Sequence, residues 1–243
     1  MIVAGFDTFK PSTFPDAFRF MYQNPDLMWH KTVEHLQISG MAMGIALLLA
    51  IPLGVLLGHY HRGSFIAINL SNVGRALPSL AVIAFGLGIL GISQQNVAFA
   101  LVVLAAPLML TNAYVGVEGV DQDAIEAARG MGMTQWQILW KIELPLALPL
   151  IFAGIKTAAV YVVATAPLGG VVGGGGLGDI IVGQASFGLR GVIAGSIAVA
   201  ALAFAANFAF ALLQWALSPR GLRRRISTLE PDVSTGVAEA AAA

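Results

Sequence analysis

"HLQISGMAMGIALLLAIPLGVLLG", residues 35–58, contains no fixed charge, and after Ser39 every residue is apolar or glycine. At 1.5 Å per residue a helix of this length is about 36 Å long, enough to cross a hydrocarbon core of about 30 Å. The polar turn "HYHRGS" (59–64) follows at once. The stretch therefore reads as a membrane span, and the rest of the chain has the same character. It is 57% hydrophobic and 11% charged over 243 residues, against about 25% charged for a soluble domain. That much apolar surface needs a non-aqueous setting.

Four further stretches fit the same template. "NLSNVGRALPSLAVIAFGLGILGI" (69–92) is mixed at first, and Pro78 is expected to break it into a short leading helix and a main span. Residues 96–117, 144–168 and 191–217 complete an expected five-span, all-α integral membrane bundle. Gly40 and Gly44, then Gly54 and Gly58, carry the small-residue spacing that lets helices pack closely in lipid.

Composition excludes several chemistries. The net charge is zero, so no nucleic-acid partner is expected. There is no cysteine, hence no disulfide and no thiolate site. His30, His35, His59 and His61 have no metal-ligand spacing, and interfacial positions are expected for them. We expect no catalytic residue, metal or cofactor.

Charge placement sets an expected orientation. Arg62 and Arg75, then Arg129 and Lys141, then Arg220 and Arg223 to Arg225 fall on one side of a five-span chain. The positive-inside rule makes that side cytoplasmic, with the N-terminus outside. Lys10, Arg19 and Lys31 run against the rule. Residues 1–30 are expected to form an extracytoplasmic segment that is not a signal peptide. Residues 31–220 form the permeating bundle, and 221–243 a cytoplasmic tail, disordered at its end.

One segment does not belong to a simple bundle. "EAARGMGMTQWQILWKIELPLALP" (126–149) is charged, capped and glycine-hinged. Asp121 or Asp123 can cap a short helix, and Asp123 with Glu126 has capping-box spacing. Gly130 and Gly132 are expected to end that helix through the left-handed conformation. Thr134 and Gln137 form a second box and start a helix carrying Trp136, Leu139, Trp140 and Ile142. Pro145 opens the next span. Residues 118–145 are thus an ordered hairpin, and chemistry alone leaves two roles open: docking a partner, or lying on the bilayer surface.

The order Glu126-Ala127-Ala128, Gly130, Ile142 and Leu144-Pro145 resembles the EAA signature of permease subunits of ATP-binding-cassette (ABC) importers. With "RALPSLAV" and "GGGGLGDII", the chain from about 24 to 217 is similar to permeases of osmoprotectant importers for glycine betaine, carnitine and choline. The resemblance implies a MetI-like importer-permease fold and a hairpin that couples to an ATPase through Glu126, Ala127, Ala128, Gly130, Gly132, Leu144 and Pro145. It implies as partners two cytoplasmic ATP-binding subunits, a second permease, identical or paralogous, and an extracytoplasmic substrate-binding protein. Another small solute remains the alternative cargo.

"GGGGLG" (173–178) matches a dinucleotide fingerprint by pattern only. No strand–helix unit surrounds it, and it lacks the Lys-Ser/Thr of a phosphate-binding loop. It reads as a tight outer turn between spans, so ATP chemistry is expected on a separate subunit. Polar residues at membrane depth are Asn72, Arg75, Asn112, Lys156 and Asn207. Such residues face a bundle interior or a water-filled path, and Lys156 can also snorkel to the interface. An ion-coupled secondary transporter would need carboxylates within the spans or broken helices in paired inverted halves. An intramembrane enzyme would need a His or acidic constellation at depth. Neither pattern is visible.

Overall fold

A computed structural model describes residues 13–61, 65, 69, 72, 74 and 76–217. The expected helix before Pro78, Arg62, Arg75 and the C-terminal arginines lie wholly or mostly outside these. Among the described residues all regular structure is helical. In order it comprises α1 (Thr13–Gln23), α2 (Pro25–His59), α3 (Ser79–Leu90), α4 (Gln94–Glu118), α5 (Gln122–Gly130) and α6 (Gln135–Ile138). A π-turn (Leu139–Glu143) joins α6 to α7 (Leu144–Thr165), and a 3-10 segment (Ala166–Val172) leads to α8 (Leu177–Val182) and α9 (Gln184–Leu217).

Among the described residues four helical runs are long and apolar enough to cross a membrane: Pro25–His59, Gln94–Glu118, Gln135–Val172 and Gln184–Leu217. The span expected over 69–92 is shorter in its described part. Pro78 stands at the cap with an extended backbone (φ −64°, ψ 121°), and α3 runs for 12 residues, about 18 Å. Proline has disfavoured a helical conformation for the residue before it, as its ring dictates. The last run, α9, is broken near its start, where Gly188 takes φ 65°, ψ 177°.

The core is built around α4, which packs against α2, α7 and α3. Leu101, Met109 and Tyr114 are fully buried there with Ile38 of α2 and Ile151 and Val162 of α7. Leu48 and Leu49 of α2 and Phe204 and Phe208 of α9 point outward and exposed, which suits lipid as solvent. Among the described residues, then, the apolar pattern supplies both a protein core and a lipid-facing shell.

The paired glycines divide in two. A Cβ on Gly54 would meet the Leu110 carbonyl oxygen at 2.5 Å and the Ala113 Cβ at 2.8 Å. One on Gly58 would meet the Tyr114 carbonyl oxygen at 2.8 Å. Backbone cannot retreat as a flexible side chain can, so α2 and α4 touch here only because these residues are glycine. Gly40 and Gly44 have nothing within 4 Å of such a Cβ and do no packing of this kind among the described residues. Gly54→Leu is expected to cost about 1–3 kcal/mol or more through overpacking, while Gly44→Leu is tolerated. Unfolding of the two variants in detergent micelles checks this, and equal stability would contradict it.

Candidate functional site

The hairpin forms from its own local chemistry. Asp121 is the cap of α5, its carboxylate accepting from the Asp123 N–H at 3.0 Å. The Asp123–Glu126 box does not form, because Asp123 already lies in the first helical turn. The end of α5 differs from expectation too. Gly130 is the last helical residue and Met131 the cap; the left-handed residue is Gly132, at φ 79°. The Gly132 N–H donates to the Arg129 carbonyl at 2.9 Å and the Met133 N–H to the Ala128 carbonyl at 3.1 Å. This double closure is the Schellman motif, which places its left-handed residue one step past the cap. The second box does form. The Gln137 N–H donates to Thr134 Oγ1 at 3.4 Å, and the Thr134 N–H to Gln137 Oε1 at 2.8 Å.

The hairpin closes on a small core of its own. Val120, Ile125, Ala128 and Ile138 are buried together, with Met133 and Ile142 against them. Glu126, Ala127, Gly130 and Met131 are left exposed. Among the residues expected to couple, Ala128 is therefore a packing residue, and Glu126, Ala127 and Gly130 form the outward face. A Cβ on Gly130 would meet nothing within 4 Å, so there is no crowding at that position, and the conformational demand sits on Gly132.

The second arm does not stop before the next span. Helix runs on from Gln135 through the π-turn into α7. The Leu144 N–H donates to the Leu139 carbonyl, five residues back. Pro145 explains the widening: it has no N–H for the Lys141 carbonyl, and its ring needs the room. Leu144 and Pro145 are thus the joint between hairpin and span, both half-buried.

At this joint Glu143 turns inward and meets His59, the last residue of α2. The His59 Nδ1–H donates to Glu143 Oε2 at 2.6 Å, with side chains only 3% and 4% exposed. Trp136 of the hairpin stacks on the His59 ring at 6.4 Å between centroids. So α2, hairpin and α7 are held at one point by a buried polar pair. This corrects the interfacial assignment of the histidines. His59 is buried, and so is His35, whose Nε2–H donates to the Val163 carbonyl at 3.0 Å; His30 and His61 are exposed. The signal for Glu143 was its place as the one acid between Ile142 and Leu144-Pro145.

The opposite end of α2 carries the other charged cluster. Lys31 Nζ lies 2.8 Å from Glu34 Oε2 and 2.8 Å from Asp179 Oδ2. The Gly176 N–H donates to Glu34 Oε2 at 2.9 Å. The glycine-rich stretch is a tight turn, left-handed at Gly173, Gly175 and Gly176, and it is held by these acids on α2 and α8. Lys31, which ran against the positive-inside rule, is neutralised by two carboxylates. Residues 31 and 59 are about 42 Å apart along α2, so hairpin and glycine turn occupy opposite ends of the bundle.

The expected polar pathway residues do not converge. Asn112 donates to the Leu108 carbonyl at 2.8 Å and fits over Gly154 of α7. Lys156 is half-buried, while Asn207 on α9 and Asn72 are exposed. No hydrogen bond joins any two of them among the described residues.

A family model described as "Binding-protein-dependent transport system inner membrane component" matches residues 50–222. The chain is 36% identical over 205 residues to the glycine betaine/carnitine/choline transport system permease protein OpuCB of Bacillus subtilis, covering 84% of this chain and 94% of that one. It is 37% identical over 205 residues to the carnitine transport permease protein OpuCB of Listeria monocytogenes, with the same coverage of 84% and 94%. Among solved structures, an inward-facing form of the MetNI methionine ABC transporter superposes with a TM-score of 0.70 at 26% identity, over 81% of this chain and 99% of that one.

Proposed function

The chain belongs to the binding-protein-dependent transport-system inner-membrane components, and from that premise we propose that it is one permease subunit of an ATP-driven importer for small quaternary ammonium osmolytes. The family implies, in general, an ATPase and a substrate-binding protein as partners. In our reading two ATPases dock on the cytoplasmic side, a second permease completes the pore, and the binding protein delivers cargo from outside. The chain itself performs no covalent chemistry. It alternates between inward- and outward-open forms, and ATP binding elsewhere biases that equilibrium.

The observation that carries this reading is the self-contained hairpin, with a buried core on one side and an exposed Glu126-Ala127-Gly130 face on the other. A loop with no partner has no need of a core, two formed caps and a Schellman closure. The hairpin is cytoplasmic in this account and the glycine turn outside, supported by the basic residues Arg129 and Lys141 beside the hairpin. The names of the relatives support the cargo class.

Quaternary ammonium groups are recognised by cages of aromatic rings. Among the described residues the buried Phe, Tyr and Trp side chains are Phe20 and Tyr114, on different helices and in different packing clusters. Selectivity therefore lies mainly in the binding protein. The test is uptake of labelled glycine betaine, choline and carnitine into vesicles holding the assembled importer. We expect uptake to require ATP and the binding protein, with single cysteines at Met131 and Val171, both exposed, labelled from opposite sides. Tight, selective betaine binding by the isolated permease, or labelling of both sites from one side, would contradict the reading.

A further inference from the structure

Helix α1 divides into three arcs. Thr13, Ala17 and Phe20 form a buried arc, with Phe20 edge-on to Phe187 of α9 at 6.2 Å between centroids. At 100° per residue, Phe14, Phe18 and Tyr22 fall in the next arc, one above another at i, i+4, i+8, and all are exposed, Tyr22 at 88%. The third arc holds Pro15, Asp16, Arg19 and Gln23. Trp29, 68% exposed, extends the aromatic surface onto the first turns of α2. Asn24 alone separates α1 from α2, so α1 sits at the end of the bundle that bears Lys31 and the glycine turn.

We propose that α1 is an interfacial anchor whose Phe14–Phe18–Tyr22 stripe, with Trp29, lies in the lipid headgroup region at the membrane face opposite the hairpin. The position of α1, joined through Asn24 to the end of a membrane-crossing helix, selects lipid over a protein partner. Trp29, just past the break on α2, shares a helix face with Leu36 seven residues on, itself 48% exposed on a helix long and apolar enough to cross the membrane, so the aromatic surface leads into a membrane-facing flank. The polar arc, with Asp16, Arg19 and Gln23, suits the water side of that interface. Amphipathic Tyr and Trp rings favour this depth of a bilayer, and an 11-residue helix with apolar and polar sides can lie in its plane. Anchoring there steadies the start of α2 and the Lys31–Glu34–Asp179 cluster that holds the glycine turn.

Only the identity of the leaflet rests on the proposed orientation; burial of the stripe in lipid does not. The absence of cysteine in the chain makes the test direct. Spin labels at Phe18→Cys, Tyr22→Cys, Trp29→Cys, Arg19→Cys and Gln23→Cys are read in the assembled importer, in vesicles of phosphatidylethanolamine and phosphatidylglycerol. Relaxation by apolar oxygen is compared with relaxation by a water-soluble nickel chelate. We expect the oxygen-to-nickel ratio at 18, 22 and 29 to exceed that at 19 and 23 several-fold. Equal ratios at all five would place the stripe in water, and protection of 18 and 22 from both reagents would make it a protein interface; either overturns the proposal. Trp29 reports independently if a change within α1 disturbs that helix.

Discussion

Glu143→Ala is expected to destabilise the protein by about 1–3 kcal/mol, the cost of leaving a buried hydrogen-bonding group without its partner. Glu143 and His59 are almost wholly shielded and 2.6 Å apart. Without the carboxylate, the buried His59 Nδ1–H loses its hydrogen-bond acceptor. His59→Ala strands the carboxylate in the same way. The double variant His59→Leu with Glu143→Leu is expected to recover most of the loss, since an apolar pair of similar volume can replace a buried hydrogen-bonded pair at little cost. Denaturant unfolding in detergent micelles measures all four proteins. Single variants as stable as the parent, or a double variant carrying the sum of both losses, would show that the pair does not hold α2 to the joint. A functional consequence follows from position. In the proposed coupling the pair sits where hairpin movement would enter the spans, so the stable double variant is expected to transport less well than the parent.

Glu126→Lys and Gly130→Val are expected to leave the fold intact and weaken ATPase binding about tenfold or more, the scale of losing an interface contact of ~1.4–2 kcal/mol. The geometry separates these effects cleanly. Gly130 has an ordinary helical backbone and open space where a Cβ would go, and valine is a better helix former than glycine. Glu126 is exposed and in no ion pair among the described residues. Neither change touches the hairpin core of Ile125, Ala128 and Ile138. Gly132 is different: its φ of 79° means that a β-branched residue there would add backbone strain of order 1–2 kcal/mol, confounding partner loss with misfolding. Pull-down of the ATPase beside thermal unfolding of the free permease measures the two contributions. Wild-type ATPase binding by both variants would remove the hairpin from the interface.

The fold was readable where one-dimensional chemistry dominates. Long charge-free runs demanded helices in lipid. Pro78 demanded a break, and Thr134 with Gln137 specified a cap from within four residues. The hairpin was legible in its capping residues and helix-ending glycines, whereas the coupling role expected of Glu126, Ala127, Ala128 and Gly130 rests on their resemblance to a family signature. What escaped the sequence depends on neighbours distant in the chain. Nothing local distinguishes Gly54, pressed against Leu110, from Gly44, which meets nothing. Nor does a single helix tell that Glu143 will find His59 across 84 residues, because the π-turn that aims it arises from Pro145. The expectation that both Gly130 and Gly132 turn left-handed held only for Gly132, since a Schellman closure places its left-handed residue past the cap rather than at the last helical residue.

The central claim is that the hairpin carries force between an ATPase and this permease. Its most direct test is ATP hydrolysis and osmolyte uptake measured together in vesicles containing the parent, Glu126→Lys or Gly130→Val, at equal membrane insertion. The account predicts binding-protein-stimulated hydrolysis coupled to uptake in the parent, and in both variants either loss of that stimulation or hydrolysis that no longer drives uptake. Full coupled transport in both variants, at parental ATPase binding, would contradict it and leave the segment a hairpin lying on the membrane surface.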